Sequence, residues 1–384
     1  MSKHDFTPEE FASRKARVRA AIADAGLDWM ILFNPISIHW LTGSDAKSYQ
    51  AFQCLVVSAA EGPMTMVMRD SERPEIEDDT LADRIVGWGG CEPEDPLAVF
   101  ARVVADLGLK NGRVGIEVPA YYLHPHHYLK VRDILGDALV AEPSELVIAL
   151  KMVKSEKELA YIREAAASAD RAMGVFAGVL QVGRSELEVA AEVYRSLVAG
   201  GGLAASTLNL VSGPRCGFSH GAPTERLLEQ GDFGNVEFGG VKRRYTATIG
   251  RQFVMGEPTA RMRELYDVVR AASDACRAEI RDGVPATVPH EAAKAVIAAA
   301  GLDRYRVHTT GYGIAPGFPP AWGEPVNMFG GGTHVLKAGM VLSIEPPVFI
   351  GEERLGARLI DNVIVTQTGC ELITGFPPDL IIVD

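Results

Sequence analysis

Positive charge is in short supply in this 384-residue chain, where 38 Lys and Arg face 50 Asp and Glu for a formal net charge of -12. A phosphate backbone or an anionic membrane surface is repelled overall, so neither nucleic acid nor membrane is expected as a partner. Cysteine is sparse as well. Cys54, Cys91, Cys216, Cys276 and Cys370 are an odd set without a CxxC pair, which points away from a disulfide framework or a thiolate zinc site and toward buried small hydrophobes. Long apolar runs are missing: none approaches the ~20 residues that span a bilayer. The opening MSKHDFTPEEFASRKARVRAAI is charged and amphipathic and has no signal-peptide core, so a cytoplasmic location is expected.

What is present is the balance of a globular chain, with 47% hydrophobic and 23% charged residues. At about 100–150 residues per domain the length suits two domains. Residues 1–150 alternate helical and strand patterns in the α/β manner. Thr7-Pro8-Glu9-Glu10 opens a helix that runs to Gly26 as its cap, and WMILF, CLVVSA, TMVM and RVGIEV have strand length. The texture changes near Lys151–Ser155. Residues 154–180 place Leu159, Ile162, Ala166, Ala169, Met173 and Phe176 at steps of three and four, an amphipathic helix. Ser185 with Glu188 forms a capping box for the next helix. A strand-rich block (207–255), helices at about 259–281 and from Pro289 to 300, and a second strand-rich block (306–384) follow. Helix, helix, strands occurs twice, which predicts a duplicated α+β domain over 151–384 whose halves share one site.

The motifs fall in a familiar order. LKMVKSEKELAYIREAA, FSHGAPTERLLEQGDFGNVEFGG, YTATIGRQF, TTGYGIAPGF, LKAGMVLSIEPPVF and RLIDNVIVTQTGCELIT resemble the successive signature segments of the pita-bread family of creatinase, prolidase, aminopeptidase P and methionine aminopeptidase. NPISIHWLTG at 34–43 resembles the creatinase-type N-terminal domain. The resemblance implies a creatinase-type α/β domain over 1–150, a pita-bread domain with a pseudo-twofold repeat over 151–384, and a homodimer. In such dimers the stretch matching 34–54, with His39, Trp40, Tyr49 and Gln53, crosses to the partner's site.

It also implies ligand positions. Metal-dependent members hold two divalent ions with two Asp, one His and two Glu, and the matching residues here are Glu237, Thr248, Tyr312, Glu345 and Ile360. Only Glu345 is an unaltered ligand. Two carboxylates without an imidazole or a bridging acid cannot offset the repulsion of ions ~3.5–4 Å apart. The expectation is therefore no catalytic metal and no other cofactor.

His220, in SHGAP, falls where the family keeps a catalytic histidine, and it is expected to act as acid and base. His39, His290 and the HPHH group at 124–127 read instead as structural residues. Glu237 in NVEFGG and Glu345 in LSIEPP each interrupt an apolar strand. Either they pair with an arginine such as Arg251 or Arg358, or they share a cavity in which repulsion and desolvation raise one pKa, giving an acid beside a base that favours a cation. Tyr312, Arg358 and Thr248 are expected to position a small-molecule substrate. Trp322 follows Pro319 and Pro320 in a stiffened loop and offers a face for a flat cation, and Trp40 and Tyr49 are expected to contribute further contacts.

Losing a metal leaves about 12 kcal/mol of water activation to be found elsewhere. A cationic amidine or guanidine carbon suits such a site better than a peptide bond. The leading expectation is a metal-independent hydrolase of a C–N bond in a small cationic or zwitterionic nitrogen compound, similar to ectoine hydrolase or creatinase. The alternatives are an Xaa-Pro-type metallopeptidase and a non-enzymatic peptide-binding member.

Overall fold

A computed structural model describes residues 3–118 and 120–384. The chain divides into two compact units, one up to Lys151 and one from Met152.

In the first unit, strands β1 (Trp29–Leu32), β2 (Cys54–Ser58), β3 (Thr65–Arg69), β4 (Arg84–Trp88), β5 (Val114–Ile116) and β6 (Leu139–Ala141) form one sheet in the order β4-β3-β2-β1-β5-β6. Every second side chain faces the same way. Met30, Leu32, Leu55, Val57, Met66 and Met68 meet helices α1 (Pro8–Asp24) and α2 (Pro35–Thr42) and the smaller α3 (Arg73–Asp79). Ile31, Cys54, Val56, Val67, Val114 and Ile116 face α4 (Pro96–Asp106) and α5 (Pro125–Leu135). A further short helix, α6 (Leu146–Lys151), closes the unit.

Thr7 caps α1 as the sequence suggests, but the helix stops at Asp24 with Ala25 as its cap. Gly26 follows at φ +69 and serves the turn into β1 instead. The HPHH group opens α5, with His124 accepting from the His126 amide. Trp40, expected as a substrate or partner contact, is 1% exposed within its own unit. It packs under the Arg14 guanidinium, 5.1 Å from the ring centroid, because α2 turns its whole surface into the core. Tyr49 is half-buried, edge-on to Tyr122.

The second unit opens with α7 (Glu156–Val179) and α8 (Glu186–Gly200), each with a complete capping box. Strands β7 (Asn209–Ser212), β8 (Phe233–Lys242) and β9 (Tyr245–Met255) come next, then α9 (Ala260–Glu279) and α10 (Thr287–Ala299). Pro289 lies inside the first turn of α10 rather than at its start, where its missing N–H costs nothing. The chain ends with β10 (Gly311–Phe318), β11 (Ala321–Met328), β12 (Val341–Ile344), β13 (Val348–Ile350), β14 (Leu355–Ala357), β15 (Asp361–Val365), β16 (Cys370–Leu372) and β17 (Ile381–Val383). The main sheet runs β16-β15-β12-β10-β9-β8-β7, with β11 on β10 and β17 on β9, so strands from both halves of the repeat share it.

Alternation along β8 and β9 sets the two faces of this sheet. Val236, Phe238, Ile249 and Phe253 pack on α7 and α8, which leaves Asn235, Glu237, Gly239, Thr248, Gly250 and Gln252 on the opposite face. Helix and sheet approach so closely that a Cβ on Gly240 would stand 2.1 Å from the Ala165 carbonyl oxygen. Residues 311–324 form the β10–β11 hairpin, not a free loop. Both prolines sit at its turn, where no ladder donor is required, and Trp322, Glu324, Val326 and Met328 alternate inward.

Candidate active site

Glu237 lies mid-strand on β8, paired across the ladder with Asn209 on β7 and Gly250 on β9. Its Oε2 accepts from Asn209 Nδ2 at 3.1 Å and from the Arg358 guanidinium. Arg358 is 1% exposed. Its backbone N–H donates to Gln252 Oε1 at 3.1 Å, and its guanidinium lies 5.4 Å from the Phe349 ring centroid. Of the two arginines considered for Glu237, Arg358 is the partner, whereas Arg251 pairs with Asp361.

Glu345 follows β12 and is fully buried, with its backbone N–H on the Thr310 carbonyl. Ser343 Oγ donates to its Oε2 at 3.2 Å, while Oε1 has no hydrogen-bond partner. Burial, and then the like charge of Glu237, push the Glu345 carboxyl up to about 8 against the smaller opposing pull of Arg358 and Ser343. Its neutral form therefore persists at pH 7.

Two imidazoles stand beside these groups. His308 Nδ1 is 3.5 Å from Glu345 Oε1, and the His308 ring meets His220 edge to face at 5.3 Å between centroids. Both histidines are held below the ordinary imidazole range, first by desolvation and next by the Arg358 charge. At pH 7 they are neutral proton acceptors. His220 is on the loop between β7 and β8 and is exposed. That loop is tied down at buried Glu186, the first residue of α8, which accepts from Ser212 Oγ (2.7 Å) and from the Thr224 amide (2.9 Å) and hydroxyl (2.8 Å), and pairs with Arg215. Arg215 in turn donates to the Ala222 carbonyl at 2.6 Å.

Tyr312, on β10, accepts from Trp322 Nε1 at 3.0 Å, and its phenol is raised well above the usual tyrosine range by burial and then by Glu345 and Glu237. Glu237 and Arg358 thus lie within electrostatic reach of His220, Glu345 and Tyr312 alike. Trp322 takes another part. At 5% exposure it lies beneath the hairpin against Gly239 and Gly317, and it holds Tyr312 rather than offering a face to a cation. Thr248 is fully buried and bonded to Asn362 through both its amide (2.5 Å) and its hydroxyl (2.9 Å). Trp40 and Tyr49 belong to the first unit. Sequence reasoning missed His308 and Asn209. The signal for His308 was its place in HTTGY, four residues before Tyr312.

The profile of metallopeptidase family M24 matches residues 160–367, and that of the creatinase/prolidase N-terminal domain matches residues 14–153. The chain belongs to metallopeptidase family M24. A probable dipeptidase PepE of Mycobacterium tuberculosis is 32% identical over 100% of this chain and 99% of its own length. The Xaa-Pro dipeptidase structure from Bacillus anthracis superposes with a TM-score of 0.84 at 25% identity, covering 97% and 99%. The ectoine hydrolase of Halomonas elongata is 26% identical over 98% of each chain.

These matches overturn the expected hydrolase of a small cationic nitrogen compound, because full-length relatives with dipeptidase names match more strongly than the ectoine hydrolase. The site supplies the physical reason. Arg358 already neutralises Glu237 and Glu345 holds its proton near neutrality, so the pair of free carboxylates that would draw a cation does not exist.

The family name implies metal, and the residues present do not fit a dinuclear ion pair. Glu237 is bound to a guanidinium, Thr248 to Asn362, Ile360 is apolar and packs against Gly250, and Tyr312 is a buried neutral phenol. Among the described residues no group of three or more His, Cys, Asp or Glu side chains is placed to hold an ion. Nor is any described helix long and apolar enough to cross a membrane.

Proposed function

We propose that this M24 chain is a hydrolase of short peptides that cleaves the amide bond of a dipeptide. Its dipeptidase relatives over the full length support the substrate class. The observation that carries the reading is the joining of two neutral imidazoles, His220 and His308, to a protonated carboxyl, Glu345, within one cluster. One imidazole takes a proton from water as the water oxygen bonds to the carbonyl carbon, and the C=O π pair moves onto the carbonyl oxygen. When that pair returns, the C–N bond breaks and the imidazolium gives its proton to the departing amine, which balances the reaction as one acid and one amine. The Glu345 O–H donates to the oxygen on which charge develops. Base catalysis contributes ~10²–10⁴ and one oxyanion donor ~10²–10³, so turnover is expected to be modest.

The test is a panel of Xaa-Pro and other dipeptides incubated with the purified full chain, with free amino acids quantified. Release that disappears in His308→Ala supports the reading. Intact dipeptides after prolonged incubation, or equal release by His308→Ala, refute it.

A further inference from the structure

Among the described residues, two buried polar atoms in the cluster make no hydrogen bond: Glu345 Oε1, which has only the His308 Nδ1 contact at 3.5 Å, and Arg358 Nε. Arg358 has spent its Nη1 on Glu237 and its backbone amide on Gln252, its guanidinium sits by the Phe349 ring, and the side chain is 1% exposed. A charged N–H withdrawn from water and left without an acceptor is costly, and such groups in folded proteins call for an explanation. The ordinary explanation, an ion pair with both edges of the guanidinium satisfied, does not hold here. Among the described residues the acidic group bonded to it is Glu237, through the terminal nitrogen. Glu345 and Tyr312, the further acidic groups in its electrostatic reach, are neutral near pH 7, and His220 and His308 carry no negative charge, so none of them cancels its charge further.

The residue positions around Arg358 deepen the contrast with a metal centre. Thr248 and Ile360 supply no anionic ligand, and the carboxylate of Glu237 is already engaged. The Glu345 O–H is a neutral donor to the oxygen that gains the electron pair, and without a metal ion the site still requires a charged electrophile beside it for a neutral imidazole to drive water onto an amide carbon.

We propose that Arg358 is that electrophile, donating from Nε–H to the oxygen of the scissile carbonyl and so doing for this chain the work that bound metal ions do in a metallopeptidase. The inference rests on the peptidase reading above and adds the residue that meets the charge developing on the carbonyl oxygen. Glu237 is then a positioning residue, which anchors the far side of the guanidinium so that Nε faces the substrate. A fixed, buried cation such as Arg358 is worth more than the same cation in solvent, because no reorganisation is needed as the charge appears.

Arg358→Lys tests the assignment, since it keeps a cation for Glu237 and removes the planar Nε–H. The expected result is a kcat lower by ~10²–10³ with KM changed by less than about threefold and an unaltered thermal midpoint. A kcat within about threefold of wild type would show that Arg358 only neutralises Glu237, and the proposal would fall. If the lysine variant does not fold, the pair Arg358→Met with Glu237→Gln removes both charges together, and added guanidinium chloride is expected to restore turnover where methylammonium does not. No restoration by guanidinium overturns the proposal. Titration calorimetry of the EDTA-dialysed wild type with MnCl₂, CoCl₂ and ZnCl₂ gives a readout independent of turnover. No stoichiometric tight site is expected, and two tightly bound ions would overturn the assignment. A wild type that cleaves no dipeptide removes the peptidase reading and this inference with it, whereas an active wild type with an equally active Arg358→Lys removes the inference alone.

Discussion

Glu345→Gln exposes the energetics of the cluster without relying on turnover. In the folded chain the carboxyl is raised from 4.5 to about 8. Between those values the folded state keeps a proton that the unfolded state has lost. The stability this confers is fully present below the unfolded value and falls as pH climbs toward the folded one. The slope is about 1.4 kcal/mol per pH unit and the ceiling over the whole interval about 5 kcal/mol. Rearrangement of Ser343 and Arg358 around the ionised carboxylate returns part of that. Glutamine preserves the shape and the acceptor for Ser343 but has no proton to lose. Urea unfolding of wild type and variant at pH 5, 6, 7 and 8 measures the difference, and subtracting the two curves cancels the titrating groups that do not interact with Glu345. The wild type is expected to lose a few kcal/mol relative to the variant between pH 5 and pH 8, with most of the loss above pH 5. Parallel curves would mean that Glu345 ionises normally inside the fold, and its role as a neutral donor would be refuted.

The same groups shape the rate. The dependence of kcat on pH should be bell-shaped, rising below the ordinary imidazole range because both histidines are depressed and falling near pH 8 as Glu345 ionises, and a flat profile from pH 5 to 9 would contradict the assignment. His220→Ala and His308→Ala should each lower kcat by ~10²–10⁴ with little change in thermal midpoint, and unfolding in place of inactivation would make either histidine structural. Gly240→Ala forces a methyl against the Ala165 carbonyl and should destabilise the second unit by about 1–3 kcal/mol by chemical denaturation. Ser185→Ala removes the capping box of α8 at a cost of about 0.5–2 kcal/mol, while the intact site should leave kcat unchanged.

Local signals carried the elements and the family. Thr7, Ser155 and Ser185 mark helix starts because a short hydroxyl side chain satisfies first-turn amides wherever it stands in the chain. WMIL and CLVVS are strands because apolar β-branched and bulky side chains suit a sheet covered on both faces. The motif order 150–384 carried the M24 resemblance, and with it the convergence of His220, Glu237, Glu345, Tyr312 and Arg358. The departures were local too. Pro319 and Pro320 read as a loop, yet the period-two alternation after them builds a strand, and the prolines only make its turn.

Pairing across distance was beyond the sequence. Glu237 had two candidate arginines, and the choice of Arg358 over Arg251 follows from which face of the sheet each occupies. Glu237 faces away from α7 and α8, whereas Arg251, one position out of phase on β9, reaches Asp361 and the carbonyls of Phe376 and Pro377. That pairing changed the chemistry, because two carboxylates that looked like an anionic trap for a cation became one neutralised carboxylate and one protonated acid. Trp322 and Trp40 show the same division. A tryptophan in a sequence offers a flat face, but only tertiary packing decides whether that face meets a ligand or, as in both cases here, the protein's own interior.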